Sequence, residues 1–197
     1  MRILECRDRN RPCCRHHVLM RRHLSALLGC VVMVTAGVAA GCSESEPPGS
    51  IVWPHPAGSS ASVTTTDVVP GAPVTLGNLV ICVEGAPSGE ILDVRAADGS
   101  PVRVSAFTVR PQDAHELFGG DRIALEDTGI PVAEATVETS CGESLGTELI
   151  IEVRSASDEV AVSPEIVVEY QVSDATGTLS IPFGIALCPP EAAVCEM

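Results

Sequence analysis

Apolar and polar residues alternate with a period of two along three stretches in the second half of this chain. Leu149, Ile151 and Val153 alternate with Glu148, Ile150, Glu152 and Arg154. Ile166, Val168, Tyr170 and Val172 alternate with Glu165, Val167, Glu169 and Gln171. Leu179, Ile181, Phe183, Ile185 and Leu187 alternate with Thr178, Ser180, Pro182, Gly184 and Ala186. Side chains of a strand point to opposite faces in turn, so each stretch predicts a half-buried strand. Shorter strands are predicted at 74–76, 79–83, 91–96, 102–109 and 123–126. Turn residues separate them: Pro70-Gly71, Gly77-Asn78, Pro87-Ser88-Gly89, Asp98-Gly99 and Ala175-Thr176-Gly177. One short helix is predicted at 111–118, stopped by Gly119-Gly120. Many short strands without a long helix predict an all-β, antiparallel two-sheet sandwich over 63–197, Ig-like in architecture. The label covers architecture alone. An antibody-type domain has a core tryptophan and a tyrosine two residues before its second cysteine. Here Trp53 precedes the strands and Tyr170 precedes Val172.

The N-terminal pattern is of another kind. Arg21-Arg22-His23 forms a basic head, and 24–41 carries no charge over 18 residues. Ala39-Ala40-Gly41 then leads into Cys42, and Ser43-Glu44-Ser45-Glu46-Pro47-Pro48 changes the composition at once. Basic head, apolar run and small-residue site are the order of a secretory signal. With a cysteine right after the small residues, the stretch resembles the lipobox of bacterial envelope lipoproteins, although Ala39 stands where leucine is usual. The resemblance implies cleavage before Cys42, a thioether-linked diacylglycerol on Cys42, and anchoring at the extracytoplasmic face of the cytoplasmic membrane. The rival reading is an uncleaved anchor. It is the weaker one, because 18 residues lie at the lower limit for a span and include Ser25, Gly29, Thr35 and Gly37. Residues 1–19 hold five arginines and three cysteines and do not fit an export signal, so translation is expected to start at Met20. The expected organisation is a signal at 1–41, the lipidated Cys42 with a flexible Pro/Ser/Gly linker at 42–62, and the sandwich at 63–197. Within the linker, Trp53 is expected to dock on the domain.

Charge sharpens the picture. From Cys42 onward there are five arginines, no lysine and 24 acidic residues, a formal charge of −19. Such a surface repels nucleic acid, which excludes a nucleic-acid partner, and keeps a tethered domain off anionic headgroups. Arginine without lysine, with abundant Ala, Val and Gly, points to a high-GC genome, as in actinobacteria.

Four cysteines follow Cys42: Cys82, Cys141, Cys188 and Cys195. Outside the membrane an even count predicts two disulfides, and four cysteines allow three pairings. Cys82 shares a face with Val80, and Cys141 shares one with Ala135 and Val137, so both thiols are expected to point inward. Cys188 lies on the face opposite Leu187, near Cys195 and the C-terminus. The side-chain period therefore favours Cys82–Cys141 through the core and Cys188–Cys195 pinning the tail.

Candidate chemistry is sparse. Gly142-Glu143-Ser144-Leu145-Gly146 matches G-x-S-x-G, but a strand pattern follows it and no histidine occurs after His115. The hydrolase elbow needs a helix there and a later histidine, so the match reads as a turn. After Cys42 the only histidines are His55 and His115, with no H-x-x-x-H and no C-x-x-C. Asp121, Glu126 and Asp127, or Asp158 and Glu159, are the carboxylates closest to a calcium set, without the spacing of an EF-hand loop. No catalytic, metal-binding or cofactor residue is assigned. The expected function is a lipid-anchored envelope lipoprotein presenting a non-catalytic binding or assembly module. The alternatives are an accessory subunit of a transporter or cell-wall enzyme, a calcium-dependent adhesion module, and an enzyme of unfamiliar type.

Overall fold

The computed structural model describes residues 49–112, 117–132, 134–142, 146–192 and 194–195. Twelve strands occur among them: β1 Ser50–Val52, β2 Ala61–Thr65, β3 Val74–Glu84, β4 Gly89–Ala96, β5 Val102–Pro111, β6 Gly120–Asp121, β7 Thr136–Val137, β8 Thr147–Ser155, β9 Ala161–Ser163, β10 Ile166–Val172, β11 Ala175–Ile181 and β12 Phe183–Leu187. A single 3-10 turn, Leu125–Thr128, is the only helical element among the described residues. The chain is all-β, as its alternation predicts.

Strands β1-β3-β8-β5 form one sheet, with β6 also paired to β3. Strands β11-β10-β4-β7 form a second, and β2-β12-β9 a third. All pairs are antiparallel except β2 with β12, which is parallel. The core is built as the period demands. Leu79, Ile81 and Val83 of β3, with Leu149, Ile151 and Val153 of β8, pack with Ile91 and Val94 of β4 and Ile166, Val168 and Val172 of β10. Every one of these is buried, and the result is a sandwich-like two-layer arrangement. Burying a Val, Leu or Ile side chain stabilises the fold by roughly 1.5–3 kcal/mol relative to exposure, so these inward faces carry most of the driving force.

Several expectations change. The segment 42–62 is not a uniform linker. Ser50–Val52 pairs with β3, burying Ile51 to 1 % exposure, and β2 begins at Ala61 on β12. Trp53, by contrast, packs against the core as expected, with its ring 4.2 Å from that of His55. Gly77-Asn78 is not a turn between two strands but a bulge within β3. The bulge shifts the inward set from Val74 and Leu76 to Leu79, Ile81 and Val83. The run 178–187 is not one strand of one sheet. It breaks at Pro182, whose carbonyl accepts a bond from the Ala61 N–H, and β12 continues in the third sheet. Proline has no N–H to give a ladder, so a strand passing through it changes partner there. The helix expected at 111–118 cannot begin where it was placed, since Pro111 closes β5; residues 113–116 lie outside the described residues. No strand forms at 123–126, where Leu125 and Glu126 open the 3-10 turn.

Candidate binding surface

Strand β8 sits in the middle of its sheet, and its outward residues Glu148, Ile150 and Glu152 are as buried as its inward ones. The cover is formed by the described parts of the connection from β5 to β8, residues 117–132 and 134–142. Four buried polar side chains on the outer face of the sheet hold backbone groups of this cover. The Thr75 hydroxyl donates to the Ile123 carbonyl at 2.8 Å and the Thr108 hydroxyl to the Pro131 carbonyl at 2.8 Å. Glu148 Oε1 accepts from the Phe118 N–H at 2.8 Å, and Glu152 Oε2 accepts from the Leu125 N–H at 2.9 Å. Leu125, 1 % exposed, caps this layer.

Two arginines neutralise the carboxylates. Arg110 gives Nε and Nη2 to Glu148 Oε2 at 2.9 and 2.8 Å, and the Asn78 N–H of the β3 bulge donates to Oε1 at 3.0 Å. Arg154 gives Nε and Nη2 to Glu152 Oε1 at 2.9 and 2.8 Å, beside the Ser105 hydroxyl at 2.5 Å. Burial alone raises the Glu152 carboxyl. The bonds from Ser105, the Leu125 N–H and Arg154, with the Arg154 charge, outweigh it and hold that carboxyl below its ordinary value. Among the described residues no buried side-chain nitrogen or oxygen lacks a partner. Both oxygens of each carboxylate accept hydrogen bonds from the fold, which commits them to structure.

Cys82 is joined to Cys141, Cα–Cα 5.1 Å, and Cys188 to Cys195, Cα–Cα 5.9 Å. These are the pairs the side-chain period favours, but the first does not cross the core. Leu79, Ile81 and Val83 face the core, so Cys82 lies on the other face of β3, buried with its Sγ 4.0 Å from the Val52 carbonyl. The run Leu79-Val80-Ile81-Cys82-Val83 is apolar throughout, and the alternation alone cannot choose its inward set. Val83 exchanges backbone bonds with Thr139 and Cys141, each at 2.9 Å, so the disulfide pins the end of the connection to β3. Cys188 is buried, and its N–H bonds the Thr65 carbonyl at 2.9 Å.

Other expected residues fall apart in space or outside the description. Cys42, His115 and Ser144 lie outside the described residues, and β8 begins three residues after Ser144, where a hydrolase elbow needs a helix. Asp121 accepts from the N–H of Arg122, and among the described residues no three His, Cys, Asp or Glu side chains gather as a metal set. Nor is any helix among the described residues long and apolar enough to cross a membrane. A polar hollow of about 290 Å³ carries Glu134 and Glu138 on its exposed rim, and its Thr139 and Thr147 hydroxyls bond each other at 3.0 Å.

The open surface centres on β4. A bulge where β4 meets Glu169 and Tyr170 of β10 turns Leu92 outward, 47 % exposed among polar residues. Glu90, Asp93, Arg95, Glu169, Gln171, Thr176 and Thr178 share this outer face of the second sheet. Arg95 is engaged there by Asp98 at 2.5 Å and Glu169 at 3.8 Å. Around the edge, a mostly apolar cleft of about 400 Å³ separates β4 from β5. Val94, Val104, Ala106, Phe107, Val132 and Ala135 line it, with Asp93, Ser105 and Glu134. Val132, Glu134 and Ala135 of the cover form its wall, so the buried carboxylates that seat the cover also position Val132. Sequence reasoning missed this surface. Its one legible signal was Leu92 beside Asp93 inside a strand pattern, a local break in alternation that marks a bulge.

No protein-family model, curated protein or solved structure matches the chain.

Proposed function

We propose that this chain is a membrane-anchored envelope lipoprotein that displays a non-catalytic, Ig-like binding or assembly module, held by a diacylglycerol on Cys42. The strand adjacency supports the Ig-like reading. In chain order β1, β3, β4, β5, β8, β10 and β11 take the places of A, B, C, D, E, F and G. Adjacency β1-β3-β8-β5 then corresponds to ABED, and β11-β10-β4 to GFC. The address is supported by the basic head, apolar run and small residues before Cys42. Two disulfides accord with an oxidising compartment.

The observation that carries the binding role is the contrast between the two outer faces. One is sealed by the protein's own connection, down to a buried polar layer with every group bonded. The other has no cover among the described residues and carries an exposed leucine that a bulge presents. Bulges next to binding sites re-aim side chains in this way. In-cell photo-crosslinking tests it. A photoreactive residue at Leu92 is expected to give a discrete protein adduct, and one at Glu126, on the cover, is not. Equal labelling at both positions, or none at either, would remove the binding role.

A further inference from the structure

We infer that the cleft between β4 and β5 receives an extended segment of a partner protein carrying arginine or lysine beside an apolar anchor. The inference rests on the binding-module reading and names the chemistry of the partner. The protein's own chain already fills the upper half of the gap. The Val109 N–H bonds the Glu134 carbonyl at 3.0 Å, the Ile91 N–H bonds the Ala135 carbonyl at 2.9 Å, and β7 pairs with Gly89 and Glu90. Below this, β4 and β5 have no strand partner on the cleft side among the described residues. Both strands carry a bulge at that height, one opposite Glu169 and Tyr170 and one between Val104 and Ala106. Bulges end regular pairing and splay an edge, so the self-pairing stops where the cleft begins.

The lining selects the occupant. Val94, Val104 and Phe107 with Val132 give an apolar pocket, and an unpaired strand edge offers backbone groups to an extended chain. Asp93 and Glu134 are exposed in its lining, and no arginine contributes to it. A second copy would bring its own −19 charge against this rim, and an anionic lipid surface would be repelled likewise. A cationic extended segment is complementary on both counts.

The test uses the full-length protein in detergent and three blocked octapeptides. They alternate arginine with valine, arginine with serine, and glutamate with valine. Binding is followed by fluorescence anisotropy at two salt concentrations. The arginine–valine peptide is expected to bind at least tenfold more tightly than the other two and to weaken with salt. Val132→Arg, at a 46 % exposed position that tolerates a long side chain, is expected to reduce its affinity tenfold or more. Glu134→Gln is expected to reduce it severalfold, and Glu126→Gln, an exposed carboxylate outside the cleft lining, to leave it unchanged. Equal binding of the arginine–serine peptide, no binding of the arginine–valine peptide, or indifference to Val132→Arg would overturn the inference. A crosslinked adduct from Leu92 without peptide binding would leave the binding module standing while the cleft assignment falls. Loss of both would remove the two together.

Discussion

Glu148 and Glu152 are each held by four donor atoms on the outward side of a central strand. Buried charge is tolerated only when it is paired and fully bonded, and removing one partner of such a pair costs about 3–5 kcal/mol. Because Arg110 keeps a third of its side chain in solvent, the lower end applies here. Glu148→Ala is expected to lower stability by about 3 kcal/mol, read as a drop in the urea midpoint. Glu152 sets a pH dependence. Its folded carboxyl lies below the ordinary value, so the stability it contributes is fully present above the unfolded value and is lost as pH falls through the folded one. Protection of the Leu125 amide, taken relative to its intrinsic exchange rate at each pH, is therefore expected to fall in acid, below the usual carboxylate range. A Glu152→Gln variant should lose that acid dependence. Protection that is flat with pH in the parent would contradict the assignment. The alternation of Glu148 to Arg154 made the strand and its inward face legible. It also assigned Glu148 and Glu152 to solvent, because a period of two reports a side and not what covers that side. Ile150 between the two glutamates was the available hint, since an outward isoleucine gains by being covered.

At the scale of elements, the connection 112–146 does the most to shape the surface. Connections of this length without much secondary structure are uncommon in a compact domain and often functional. This one is fixed at both ends, by the polar layer of β8 and by Cys82–Cys141. Gly77 permits its close approach: a Cβ there would lie 2.3 Å from the Phe118 carbonyl oxygen and 2.6 Å from Glu148 Oε1. Gly77→Ala is thus expected to displace the cover from β3, raising exchange at the Phe118 amide while the inward residues of β8 stay protected. A chain-entropy account assigns the Cys82–Cys141 loop, about 60 residues, on the order of 4 kcal/mol. The double variant Cys82→Ser/Cys141→Ser is expected to lose about that much and to unlatch the 136–141 segment first. Longer strands were legible because their inward residues repeat often enough to fix a face. The short strands β1 and β2 were not. Ser50–Val52 and Ala61–Thr65 stand among Pro, Gly and Ser, and their order comes from pairing with β3 and β12, which local composition does not encode.

For the whole molecule, a charge of −19 beyond Cys42 sits on a domain whose open surface is a bulged strand and an apolar cleft. The charge favours solubility and cationic partners. In the reading proposed above, a lipid on Cys42 would set such binding at the membrane surface. The longer strands and the disulfide pairs could be read from the chain, whereas the third sheet and the cleft could not. The cleft depends on two bulges and on a connection that meets in space only after folding. Peptide-level mass spectrometry of the native protein from the membrane fraction, without reduction, decides whether Cys42 is the anchor. A peptide beginning at a diacylated Cys42 is expected, together with Cys82–Cys141 and Cys188–Cys195 crosslinks. An unmodified Cys42 still joined to Arg21-Arg22 would contradict it.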